Sequence, residues 1–281
     1  MPSFIRLKNQ DREKLFSLIK RNINSSWENF YPQFNISRTM FFNYLTGRYA
    51  IPKNLFFLLE KIAAIKINDY KQIERDKYIK KEIVKPRMNS SLAEIFGILN
   101  GDGHISKFKH EICVVGDIRE KNYCSYLKTL FQGAFGVSFT IYEADSYFKL
   151  RVYSIDISNF LTKTYGLPKG NKLGKLKIPE KVLTSKKWTI SYIRGLFDTD
   201  GSFFIRRKKD PVIEISSADP IFLLEVKTAL TSLDFNVAKG NKRIFIYQKE
   251  DIRRFFKVIK PANSKHLKKY QNYLKIGARV I

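Results

Sequence analysis

Ile193-Arg194-Gly195-Leu196-Phe197-Asp198-Thr199-Asp200-Gly201 is an apolar helical run that ends in an acidic residue and a glycine. The same design stands earlier in the chain as Ile95-Phe96-Gly97-Ile98-Leu99-Asn100-Gly101-Asp102-Gly103. Each copy carries small residues at one helical spacing: Ala93, Gly97 and Gly101 in the first, Ser191, Gly195 and Thr199 in the second. Residues four apart share a helix face, and a stripe of small ones lets two helix backbones approach closely. The larger neighbours, Leu92, Ile95, Phe96, Ile98 and Leu99, and Ile190, Ile193, Leu196 and Phe197, then cover the flanks. Ser91 and Glu94 have the spacing of a capping box. Gly103 and Gly201 suit left-handed helix exits.

If the two stripes meet, Asp102 and Asp200 emerge side by side. Adjacent carboxylates repel unless a positive charge lies between them, and hard divalent cations such as Mg²⁺ prefer oxygen ligands. A carboxylate pair sharing metal is an arrangement that cleaves phosphodiesters. One copy alone would read as an amphipathic helix closed by Asp-Gly turn chemistry; two matched stripes favour the paired reading.

The two motifs resemble those of the LAGLIDADG homing endonucleases in their single-chain, two-motif form, over roughly residues 90–275. The first copy departs at Asn100, where the family has its first aspartate, which is not the metal ligand. The resemblance implies an α+β fold: a pseudo-twofold αββαββα duplication whose two curved antiparallel sheets form a saddle on double-stranded DNA. It implies a monomeric enzyme that makes double-strand breaks in a long target, non-palindromic because the halves differ. Asp102 and Asp200, helped by the carbonyls of Gly101 and Thr199, are then expected to hold Mg²⁺, with Mn²⁺ substituting and Ca²⁺ binding without turnover. By similarity, Lys172 and Lys265, each following a Pro-containing turn, are the central basic residues expected near the scissile phosphates. Asp117 and Ser216 fall where the family has polar residues that organise water. His104 is read as a DNA or structural contact, because the second copy has Ser202 there. Two other roles on the same fold are a catalytically silent DNA-binding regulator and a maturase whose partner is intron RNA.

Composition agrees with a polyanionic partner. The 281 residues contain 52 Lys+Arg against 26 Asp+Glu, a formal charge of +26. Hydrophobic residues make up 44% and include 23 Phe, ample for buried cores. No apolar run reaches the roughly 18 residues that a membrane span needs. Met1-Pro2-Ser3 leads into a charged segment with no signal peptide. Two cysteines, Cys113 and Cys124, form no metal-finger spacing. A reducing cytoplasmic (prokaryotic nucleoid) or organellar setting is expected.

Along the chain, residues 1–68 are expected to form a small all-α domain resembling a helix-turn-helix module. Its recognition helix spans residues 37–46, capped by Ser37, and presents Arg38, Thr39 and Asn43. Residues 69–89 read as a charged linker, 90–183 as the first subdomain and 184–281 as the second. After Gly103, period-two alternation predicts strands over residues 111–115, 137–144 and 146–153. In the second half it predicts strands over 202–207, 212–216, 237–239 and 243–247. Helices are expected over 121–135, 157–165, 220–233 and 250–259. Sheet ribbons fit the major groove, and the basic candidates for DNA contact are Lys107, Lys109, Lys149, Arg151, Arg206, Lys208, Lys239, Lys242 and Arg243.

Overall fold

The computed structural model describes residues 3–74, 83–207 and 210–277. The chain divides into two compact units, residues 1–82 and 83–281.

The first unit runs β1 (Ser3–Leu7), α1 (Asn9–Ile23), α2 (Trp27–Phe30), a 3₁₀ turn (Tyr31–Phe34), α3 (Arg38–Leu45), β2 (Ile51–Pro52), α4 (Lys53–Ala63) and β3 (Tyr70–Glu74). The helix expected over residues 37–46 is present as α3, and Ser37 Oγ accepts from the Met40 amide at 3.3 Å. Phe41 on α3 is buried against Phe16, Trp27, Phe30 and Tyr31, with ring centroids 5.2–6.0 Å away. The unit is not all-α. It also has an antiparallel sheet of order β2-β1-β3. Its strands have two to five residues, too short for alternation to stand out, and β2 contains Pro52, which an edge strand tolerates. Part of the stretch expected to be a linker therefore belongs to this unit: Tyr70–Glu74 pairs along the whole of β1. Residues 75–82 lie outside the described residues.

The second unit begins with α5 (Ser90–Asn100), β4 (Gly103–Ile105), β5 (Glu111–Asp117), α6 (Lys121–Phe135), β6 (Thr140–Glu143), β7 (Tyr147–Tyr153) and α7 (Ile155–Asn159), which continues as a π-helical turn (Phe160–Thr164). A short α8 (Glu180–Leu183) leads into α9 (Lys186–Asp200), β8 (Gly201–Arg206), β9 (Asp210–Ser216), α10 (Pro220–Thr231), β10 (Ala238–Lys239), β11 (Arg243–Ile246), α11 (Lys249–Val258) and α12 (Ser264–Gly277). The two sheets have the same antiparallel order, β4-β5-β7-β6 and β8-β9-β11-β10, so the halves are duplicates in topology. Inner-face residues such as Val114, Phe148, Leu150, Phe203, Ile213 and Ile244 join the helices in one continuous core. The sequence reading omitted α12, whose lysines hide its apolar face. Tyr270 stacks on Phe256 at 3.9 Å and Tyr273 meets Phe203 edge-on.

Candidate active site and nucleic-acid face

Helices α5 and α9 meet along their small residues. A Cβ on Gly97 would lie 2.1 Å from the Tyr192 carbonyl oxygen, and one on Gly195 would lie 2.2 Å from that of Glu94. On Gly101 it would fall 2.0 Å from Thr199 Oγ1. Only hydrogen fits between these backbones, so the stripes fix how far both helices descend. Two local expectations are corrected. The cap of α5 is Asn89, whose Oδ1 accepts from the Leu92 amide at 2.9 Å. Glu94, expected to complete a capping box, is buried, where it accepts from the Tyr126 hydroxyl and pairs with Arg194 at 3.2 Å. Gly103 and Gly201 are not left-handed. Glycine is needed there because a Cβ would strike Leu99 Cα at 2.4 Å and Phe197 Cδ2 at 2.1 Å.

The helix ends bring Asp102, Asp200, Lys172 and Lys265 together. Burial raises the Asp102 carboxyl above its ordinary range, while Lys265 and Lys172 pull it down. Asp200 is pushed up to about 6, by burial first and then by the charge of Asp102. Like charges disfavour ionisation of both acids, Asp102 acting on Asp200 and Glu120 on Asp102, while both lysines favour it. Burial lowers the pKa of the Lys172 ammonium against the pull of Asp200 and Asp102.

The two lysines are held differently. Lys172 Nζ donates to the carbonyls of Leu99 (3.3 Å), Asn100 (3.0 Å) and Gly103 (2.9 Å), and to that of Gly101. It thus caps the C-terminal end of α5 and takes up the Gly101 carbonyl assigned above to metal. Lys265 Nζ instead pairs with Glu120 at 3.2 Å. Thr199 turns its hydroxyl back into α9, donating to Leu196 O at 2.9 Å and Gly195 O at 3.1 Å. Ser216 lies with Asn100, Gly101, Lys172, Asp200 and Lys242 around one cleft. Asp117 is occupied by Arg119, whose Nε and Nη2 donate at 2.9 and 2.5 Å, and these bonds hold its pKa far below the usual carboxylate range. Glu120 had no signal in the sequence, because it belongs to neither motif.

Both sheets leave one face uncovered by the core. On the first, the register aligns His104 with Cys113, Arg151 with Cys113 and Thr140, and Lys149 with Val115 and Tyr142. Lys149 pairs with Glu111 at 2.8 Å, and Arg151 lies over the rings of Tyr142 and Tyr153. On the second, the register aligns Ser202 with Glu214, Arg206 with Asp210 and Arg243 with Ser216. Arg206 covers Tyr247 at 5.3 Å and Arg243 pairs with Glu214 at 3.5 Å. Basic groups interleaved with aromatics suit phosphates and base edges. Lys107 and Lys109 are on the exposed turn between β4 and β5, and Lys242 is on the left-handed turn between β10 and β11. Lys239 is exposed on the edge strand β10, in register with Ile244. Lys208 lies outside the described residues. In the first unit, Arg38, Thr39, Phe42, Asn43, Thr46 and Arg48 line a separate cleft on α3.

Residues 187–260 match the family model described as the LAGLIDADG-like domain. A comparison with curated protein sequences finds no match. Among solved structures, a mesophilic variant of the homing endonuclease I-DmoI is 16% identical, with 60% of this chain and 94% of that one covered at a TM-score of 0.46. I-DmoI in complex with DNA and Mn is 17% identical, with 61% and 97% covered at 0.46. I-SmaMI bound to an uncleaved DNA target in the presence of calcium ions is 16% identical, with 68% and 90% covered at 0.45.

Proposed function

We propose, from the premise that the chain carries a LAGLIDADG-like domain, that residues 83–281 are a site-specific endonuclease cutting both strands of a long, non-palindromic DNA target. The observation that carries this reading is the close contact of α5 and α9, which delivers exposed Asp102, half-buried Asp200 and two lysines to one place. The open sheet faces supply guanidinium, ammonium and aromatic groups for a duplex on either side of that place.

A hard divalent cation, Mg²⁺ by preference, fits these residues. The carboxylates of Asp102 and Asp200 are both destabilised as anions, and a cation relieves them. Among the described residues no cluster of three or more His, Cys, Asp or Glu is arranged to hold a metal ion. The donor set is therefore to be completed by the Thr199 carbonyl, water and the DNA phosphate itself. The Gly101 carbonyl is shared with, or released by, Lys172. When bound, the metal activates water and stabilises the leaving oxygen. The protein's own part is to hold the carboxylates fixed through the helix pair and to place the ammonium of Lys265 beside them. The halves bear different side chains on equivalent strands, which supports an asymmetric target. The polar strip on α3 is proposed to lengthen the contact with DNA, and Arg38→Ala with Asn43→Ala should shorten one flank of the nuclease-protected footprint.

The decisive experiment selects a cleaved target from a randomised library, then measures binding in Ca²⁺ and cutting in Mg²⁺. Asp102→Asn and Asp200→Asn are close to isosteric. Each should retain binding and lose double-strand cleavage by at least about a hundredfold. Wild-type protein that binds its target and never cuts, in Mg²⁺ or Mn²⁺, would instead indicate a silent regulator.

A further inference from the structure

Glu120 and Asp219 occupy the same place in the duplication, the residue that precedes α6 and α10. Their side chains do different things. Asp219 is buried, and its Oδ1 accepts from the amides of Ile221 (3.1 Å) and Phe222 (3.2 Å), capping α10. Glu120 makes no cap bond to α6. One methylene longer, it crosses to the other half: Oε1 is 3.2 Å from Lys265 Nζ, and Oε2 accepts from Asn263 Nδ2 at 2.7 Å. Asn263 is itself fully buried. Its amide donates to Asp198 Oδ1 at 3.1 Å, and its own Oδ1 accepts from the Lys265 amide at 3.2 Å. Lys265 is thus held at its backbone by Asn263 and at its ammonium by Glu120, while Lys172 is held by the carbonyls at the end of α5.

We propose that Glu120 is a positioning residue: the first half uses it to hold the second half's Lys265 at the aspartate pair, and so sets the rate at which one of the two DNA strands is cut. The inference rests on the endonuclease reading of the same site. A carboxylate bonded to a lysine fixes the direction of the ammonium. A displacement of about 1 Å at a reacting centre can change rate by roughly a hundredfold. Lys172, held without a carboxylate bond, leaves the other strand independent of Glu120.

The test uses the full chain and a duplex labelled separately on each strand, under single-turnover conditions, with affinity measured in Ca²⁺. Glu120→Gln should still accept from Asn263 and lose the ion pair with Lys265. It should slow one strand by about ten- to a hundredfold, leave the other within about twofold, and leave affinity within about twofold. Glu120→Gln combined with Lys265→Met should be no slower than Lys265→Met alone, because the two act as one unit. Glu120→Asp should behave unlike a conservative change. It is expected to fold back and cap α6 as Asp219 caps α10, raising thermal stability while slowing the same strand. A purely structural role would move stability and rate in the same direction. Equal slowing of both strands, additive effects in the double variant, or wild-type cutting by Glu120→Gln would each overturn the inference and leave the endonuclease reading standing. Absence of cutting by the wild type would remove that reading, and the inference with it.

Discussion

At the end of α5 stands Asn100, and at the same place in α9 stands Asp198. Both are buried, yet one donates and the other accepts. Asn100 Nδ2 gives hydrogen bonds to the Lys177 carbonyl (2.9 Å) and the Tyr192 hydroxyl (2.7 Å). Asp198 takes them from the amides of Ala262 (2.8 Å) and Asn263 (3.1 Å). The acidic residue therefore organises the turn that carries Lys265. Asn100 Oδ1 accepts no such bond from the turn carrying Lys172, and that lysine docks on the helix end itself, where a cation meets the negative end of the helix dipole. A further difference lies higher in the same helices. Glu94 on α5 faces Arg194 on α9, while the equivalent places hold Tyr192 and Phe96. The duplication keeps the small-residue stripes, which the backbone contact allows no freedom to change, and lets the residues around them diverge.

The largest effect should come from that buried ion pair. Arg194 Nε also donates to the Ile259 carbonyl at 2.8 Å, so it ties α5, α9 and the end of α11 together. Burial already raises the Glu94 carboxyl despite Tyr126 and Arg194. Arg194→Met should leave it unpaired and destabilise the second unit by about 3–5 kcal/mol, whereas Arg194→Met with Glu94→Leu should recover most of the loss. Calorimetry is suited to the measurement. The first unit has its own hydrophobic core, so its transition should stay in place while that of the second falls.

Next come the paired truncations. Asp198→Ala strands the buried amide of Asn263 and the half-buried one of Ala262 and should cost about 2–4 kcal/mol, the lower part of the range that about 1–3 kcal/mol for each lost partner allows. Asn100→Ala removes a residue whose Oδ1 is already buried without a bond, and should cost about 1–2 kcal/mol. Equal losses in chemical denaturation would mean that the two positions do the same work.

Much of this organisation was legible in the sequence, for reasons particular to it. The four-residue spacing of Gly97 with Gly101, and of Gly195 with Thr199, has one cheap explanation, close helix contact, so the aspartates' neighbourhood followed from the chain alone. The succession of helices and strands could be read because each half repeats the other, although the three-residue β4 was too short to show and the order of strands within each sheet came from the structure. What stayed hidden depends on contacts distant in sequence. The bond of Lys172 to the end of α5, the reach of Glu120 to Lys265 and the pairing of Glu94 with Arg194 join segments that no local pattern connects. The side of the sheet on which Lys239 falls depends on register, and a slip of one residue reverses it.

The lysines should separate stability from rate. Lys172→Met removes an ammonium from four carbonyls and should lower stability by about 1–2 kcal/mol as well as slow cutting. Lys265→Met breaks a half-exposed pair and should change stability by less than about 1 kcal/mol, while slowing cutting comparably. Thermal melts beside strand-resolved cleavage distinguish the two. A stable Lys172→Met protein would deny the helix-end role of that residue.

The last comparison concerns pH: Asp198 adds a dependence that Asn100, its counterpart, cannot. Burial pushes Asp198 up to about 7, although the amides of Ala262 and Asn263 favour its charged form. In the unfolded chain an aspartate titrates near 3.9. Between about pH 4 and pH 7 the folded state therefore holds a proton that the unfolded state has lost. Stability from this group is greatest below the unfolded value and declines as pH rises to about 7, after which it is constant. His266 works against this trend. Burial depresses it to about 3, so the unfolded chain takes up a proton first as pH falls below about 6.5, and stability is lost on acidification. Asp200, pushed up to about 6, adds to the trend of Asp198, so the informative quantity is the difference between the wild type and Asp198→Asn, from which the groups common to both cancel. In metal-free buffer that difference should grow steadily as pH is lowered from 7 to 5, the wild type gaining on the variant. Asn100→Ala, the matching change in the first half, removes no titrating group and should shift the melting temperature by the same amount at every pH. Parallel curves for Asp198→Asn would show that the residue is ionised throughout, and that the two helix ends differ in hydrogen bonding but not in charge.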